Sequence, residues 1–198
     1  MSSTSGPIRK ATSFDMRQYR DVIYHPCYLK IADESEATSG ESPAYAKGRA
    51  MFKHILVCTD GSKLSDKAVN AAIGFARDLG AKVTGFHATE DYPIRTFPEY
   101  AFVAGSLAPA TWEADQEKRA RRMLEKVEAK AKRAGVACDT RFSSALRPYE
   151  AILQAAKRAR CDLIVMASHG RRGIQGIVLG SETNKVLTHS KLPVLVYR

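Results

Sequence analysis

Apolar residues recur along this chain with two different periods. Short apolar runs at Ile55-Leu56-Val57-Cys58, Leu163-Ile164-Val165-Met166 and Val194-Leu195-Val196, with more mixed stretches at 82–88 and 137–143, alternate with longer stretches whose apolar positions return every three or four residues. The runs predict strands over 55–59, 82–88, 137–143, 162–167 and 193–197. The helical spacing appears in Ala68, Val69, Ala72, Ile73 and Ala76, predicting a helix over 66–79 that Ser65 opens and Gly80 stops. It recurs in Ala120, Met123, Leu124, Val127 and Ala131 within 111–134, and in Ala151, Ile152, Ala155 and Ala156 after Pro148, which suits the first turn of a helix reaching about Arg160. A last helix spans 181–189. Strands alternating with helices, the central strand 162–167 apolar on both faces, predict a doubly wound, Rossmann-like α/β domain with a five-stranded parallel sheet between helices.

Two stretches fall outside that rhythm. Residues 1–50 open on Ser2-Ser3-Thr4-Ser5-Gly6-Pro7 and close on the acidic, Ser-rich segment 33–43, and they predict a mostly disordered N-terminal extension to a domain over 51–198. Tyr19 to Ile31, richer in aromatics, is the part of that extension able to dock locally. Residues 90–110 hold Pro93, Pro98 and Pro109 and form the longest irregular connection in the domain, a length that favours a functional segment such as a lid.

Composition narrows the partners. The net charge is +10, and the extension carries seven Lys/Arg against six Asp/Glu, so nearly all the excess lies in the domain and favours an anionic ligand. No apolar run approaches the ~20 residues of a membrane span and no signal-peptide core is visible, which predicts a cytoplasmic protein without membrane contact. Cys27, Cys58, Cys138 and Cys161 lack metal or redox spacing, and Cys58 and Cys161 read as buried reduced thiols.

The candidate chemistry lies between the fourth strand and the last helix. Ala167-Ser168-His169-Gly170-Arg171-Arg172-Gly173 and onward to Gly180-Ser181-Glu182 is a strand, a glycine-rich loop and a helix start. Glycines bring backbone N–H groups close to an anion, the helix terminus favours negative charge, and Ser181 is placed to cap the helix and donate to a phosphate. Arg171 and Arg172 add positive charge. The loop is neither a Walker A sequence nor the dinucleotide G-x-G-x-x-G. At the end of the first strand, Asp60 has two roles open to it, an Asx turn before Gly61 or a ligand contact. His87 reads as a packed core histidine and His169 as a loop residue.

With Thr59-Asp60-Gly61-Ser62, the glycine loop and the ending Leu192-Pro193-Val194-Leu195-Val196, residues 51–198 resemble the universal stress protein family. The specific element is the nucleotide motif of its ATP-binding branch, G-x-x-G, nine residues, then G-Ser/Thr. Here Ala167 takes the place of the first glycine, a strain if that position needs φ > 0 and harmless if it is a strand end. The resemblance implies ATP as ligand, with or without Mg²⁺, in a dimeric stress-response regulator. It places Asp60 at ribose or adenine, the backbone of Ala88 at adenine, and Ala167, His169, Gly170, Arg171, Gly173, Gly180, Ser181 and Glu182 around ribose and phosphates. It also implies a homodimer joined through 193–197, whose apolar edge would otherwise stand open. No nucleophile and base assemble into a catalytic set, so at most slow hydrolysis is expected. Two other readings are a dimer that binds no nucleotide and a nucleic-acid binder using the basic 111–134 helix. The glutamates on that helix, spaced for i,i+4 pairs such as Glu117 with Arg121, favour a solvated face instead.

Overall fold

A computed structural model describes residues 22–25, 52–89, 109–170 and 179–198. Its elements are β1 (Val22–His25), β2 (His54–Cys58), α1 (Lys63–Leu79), β3 (Lys82–Thr89), α2 (Pro109–Arg133), β4 (Cys138–Ser144), α3 (Pro148–Ala159), β5 (Leu163–Ala167), α4 (Ser181–His189) and β6 (Val194–Tyr197). The sheet order is β1-β6-β5-β2-β3-β4. Strands β2 to β6 are parallel, so the expected five-stranded parallel sheet is present.

Alternation along the strands sorts the core into two layers. Ile55, Val57, Val83, Leu163, Val165 and Leu195 pack with α1 and α2 on one face. Leu56, Cys58, Phe86, Ile164, Met166, Val194 and Val196 pack with α3 and α4 on the other. The helices sit where their apolar stripes demand. Gly80 ends α1 in the left-handed conformation at φ 66°, as expected. Arg160 does the same for α3 at φ 55°, an unusual place for a side chain. Cys58 and Cys161 are buried free thiols, and burial pushes both pKa values up, that of Cys161 to about 11.

Three local readings change. Helix α1 begins three residues before the expected Asp66, because Ser62 rather than Ser65 caps it: the Ser65 N–H donates to Ser62 Oγ at 3.1 Å. Gly180, not Ser181, is the N-cap of α4, so Ser181 is the first helical residue and caps nothing. The extension supplies a sixth strand, β1, which pairs antiparallel with β6 from Val22↔Tyr197 to His25↔Val194. The edge expected to stand open on β6 is therefore covered within the chain. The remainder of 1–50, and 90–108 with its expected lid, lie outside the described residues.

Candidate functional site

Strand β2 pairs with β3 on one side and β5 on the other, so successive connections leave it in opposite directions. Its carboxyl end is thus the topological switch point, where an open α/β sheet leaves a crevice. Two loops meet there, one after β2 and one after β5.

The first loop is closed by its own hydrogen bonds. Asp60 Oδ1 accepts the Ser62 N–H at 3.0 Å, and Thr59 Oγ1 accepts the Gly61 N–H at 3.2 Å. Gly61 turns at φ 77°, and a Cβ there would meet Met123 Sδ of α2 at 2.6 Å, so only glycine suits the turn beneath that helix. The Asx-turn role of Asp60 is therefore realised by one oxygen. The other lies against the second loop: a Cβ on Gly170 would stand 2.7 Å from Asp60 Oδ2. His87 is buried, its Nδ1 paired with the Thr59 carbonyl at 2.7 Å, which fixes the loop from below and matches its reading as a core histidine.

The second loop starts from β5. Ala167 is paired with Tyr197 in the sheet, and among the described residues the one non-glycine at positive φ is Arg160. Alanine in place of the first motif glycine therefore carries no left-handed strain. Ser168 is buried, donates its N–H to the Tyr197 carbonyl at 2.7 Å, and accepts the Gly180 N–H on its own carbonyl at 2.7 Å. That bond brings the two ends of the glycine loop together. A Cβ on Gly180 would lie 3.3 Å from His169 Cα and from Ser168 O, both backbone atoms with little room to yield.

Helix α4 begins at this closure. No side chain caps it, so its first N–H groups, on Ser181, Glu182 and Thr183, lack an intrahelical acceptor. Thr183, unremarked in the sequence, donates its hydroxyl to the Ala167 carbonyl at 3.0 Å and ties the helix to the strand end. Its signal was a buried polar residue on the stripe of Val186 and Leu187. The Glu182 carboxylate accepts the Tyr149 N–H at 2.9 Å and meets Lys185 Nζ at 2.8 Å. With the carboxylate so engaged, its backbone N–H is what Glu182 can offer an anion.

The predicted residues Asp60, Ala167, His169, Gly170, Gly180, Ser181 and Glu182 thus come together at one end of the sheet. Ala88 lies at the carboxyl end of β3, opposite Ser143. Arg171 and Gly173 lie outside the described residues. A separate cleft of about 910 Å³ runs along β4, lined in part by Phe86, Arg121, Arg141, Phe142, Arg147 and Glu150. Arg121 there pairs with Glu117 at 2.6 Å, as its spacing predicted, and Arg147 with Glu150 at 3.0 Å. Among the described residues no helix is long and apolar enough to cross a membrane.

A doubly wound sheet, its switch point flanked by an aspartate turn and a closed glycine loop, defines a Rossmann-like α/β domain. Comparison with known proteins makes the class specific. The sequence profile described as the universal stress protein family matches residues 51–198, and the chain belongs to that family. It is 36% identical over 149 residues to a universal stress protein of Thermus aquaticus, covering 75% of this chain and all of that one. Among solved structures it resembles hypothetical protein MJ0577, with TM-score 0.63, 25% identity, and coverage of 74% of this chain and 96% of that one. It also resembles a universal stress protein in complex with cAMP, with TM-score 0.56, 25% identity, and coverage of 76% and 99%.

Proposed function

We propose that the protein binds an adenine nucleotide, ATP in the first instance, across the carboxyl ends of β2 and β5 and acts in the cytoplasm as a stress-response regulator. The observation that carries the reading is the uncapped start of α4, set against Asp60 through Gly170 and His169. A phosphate placed there accepts from the Ser181, Glu182 and Thr183 N–H groups and meets the positive end of the helix. Asp60 Oδ2 then serves a ribose hydroxyl, and the backbone at Ala88 the base. The net charge of +10 adds attraction for a polyphosphate, and cAMP bound to a relative supports the adenine class. Mg²⁺ would enter as the counter-ion of ATP itself, since among the described residues no group of three or more His, Cys, Asp or Glu is placed to hold a metal. Bound nucleotide acts by shifting the population of a partner-binding surface, and a second copy of the chain pairs through β6 once β1 has left that edge.

Calorimetric titration of ATP with Mg²⁺, and of cAMP in parallel, into the full chain and a Gly180→Val variant tests this. Micromolar binding of ATP is expected, weakened roughly 100-fold or lost in the variant, about 2.8 kcal/mol in binding free energy. Absence of heat for either nucleotide in a folded wild-type chain rejects the reading.

A further inference from the structure

The hydrogen-bond polarity of β6 shows which of its backbone groups β1 covers. Ile164 donates its N–H to the Pro193 carbonyl at 3.0 Å, and Ser168 donates to that of Tyr197 at 2.7 Å. Backbone groups on a strand turn to alternate sides, so Pro193, Leu195 and Tyr197 face β5 while Val194 and Val196 present N–H and C=O to the opposite side. That side is where β1 lies, with His25 opposite Val194 and Ile23 opposite Val196. These two positions are the hydrogen-bonded pairs. Val22 and Tyr24 direct their own N–H and C=O away from β6.

Without β1, the Val194 and Val196 groups would form an unpaired edge on a strand whose Val194, Leu195 and Val196 are at most 4% exposed. An apolar strand with unpaired backbone is a template for another strand. We propose that β1 is an intramolecular plug on this edge: it and the β6 strand of a second copy compete for the same backbone groups of Val194 and Val196. Self-association therefore requires β1 to leave. This rests on the proposed pairing through β6 and not on nucleotide binding.

Two features suit β1 to the task. It is four residues long, so few bonds hold it. It is also tethered, with residues 26–51 between it and Phe52. Because β1 belongs to the same chain, its pairing with β6 is intramolecular and independent of protein concentration, whereas pairing with a second copy weakens on dilution. The full chain is thus held monomeric, and loss of the plug releases the edge.

Proline separates the possibilities, because it removes one N–H. At Ile23 that N–H points to Val196; at Tyr24 it points outward, where an edge strand tolerates proline. The test is sedimentation velocity of the full chain, Ile23→Pro and Tyr24→Pro across the micromolar range, with amide hydrogen exchange at Val196. The full chain and Tyr24→Pro are expected to sediment as monomers with a protected Val196 amide. Ile23→Pro is expected to exchange that amide roughly tenfold faster or more when dilute and to dimerise as concentration rises. Equal protection of Val196 in all three proteins overturns the plug. A freed Val196 amide in an Ile23→Pro chain that stays monomeric overturns the pairing reading on which the plug rests. A dimeric full chain that Ile23→Pro dissociates overturns the competition, since β1 would then make the dimer.

Discussion

The two ends of the sheet treat their polar groups in opposite ways. At the amino ends of β2 and β5 the groups close on one another. The Asp162 carboxylate accepts the N–H groups of Lys53 at 2.8 Å and His54 at 3.0 Å, while the Asp162 N–H donates to the His54 carbonyl at 2.9 Å. His54 Nε2 is paired with Thr84 Oγ1 at 2.7 Å. At the carboxyl ends closure stops halfway: α1 is capped by Ser62, while α4 starts on Gly180 with no side-chain cap. Buried polar groups are normally satisfied. A helix start without a side-chain cap, beside one that is capped, separates the end that holds the fold together from the end proposed to receive the nucleotide.

The largest effect expected from that division is on stability at the amino end. Asp162→Ala strips acceptors from two backbone N–H groups of β2, and hydrogen bonds to a charged acceptor contribute about 1.5–3 kcal/mol each when buried. One of the two is solvent-exposed, so the expected loss in unfolding free energy is about 2 kcal/mol by urea denaturation, with nucleotide affinity unchanged. An affinity change comparable to the stability change would break the division.

At the carboxyl end two serines sharpen it. Ser62→Ala removes the cap of α1 and should cost about 1 kcal/mol of stability. Ser181→Ala removes no cap, so its stability should stay within about 0.5 kcal/mol of wild type while ATP affinity falls several-fold. Thermal denaturation and calorimetry on both variants read the two quantities separately. A destabilised Ser181→Ala protein would mean that Ser181 serves the fold.

Much of this was legible because the core imposes its period on the sequence. β5 and the stripes of α1 and α3 stand out as buried apolar patterns, and the elements begin and end within about three residues of the reading. Caps were less legible, since Ser62 and Ser65 are both near the start of α1 and the bond between them, not their type, decides which one caps. β1 was hardly legible at all. Four residues carry no measurable period, and what makes them a strand is the edge offered by β6, far away in sequence. The site was legible as a set of residue types, whereas the contact of Asp60 with Gly170 depends on the strand order that places β5 beside β2.

The smallest effect at neutral pH, and the one most diagnostic of the closed end, concerns His54. Burial pushes its pKa below the ordinary 6.5, helped by the charge of Lys82 and opposed by those of Asp162 and Asp139. The folded protein therefore holds the ring neutral against Thr84, while an unfolded chain takes up the proton first as pH falls. Between the ordinary value and the lowered one the unfolded state binds more protons, so stability must decrease as pH drops through about 6.5 and level off below the folded pKa. Above about pH 7.5 the ring is neutral in both states and contributes no slope. Urea denaturation from about pH 8 to about pH 5 should show this decline in the wild type, and His54→Gln, which keeps a neutral amide near Thr84, should flatten it. Equal slopes in the two proteins would mean that His54 takes up its proton alike in the folded and unfolded chain, and the amino end would then not shield the ring as its burial and its bond to Thr84 describe.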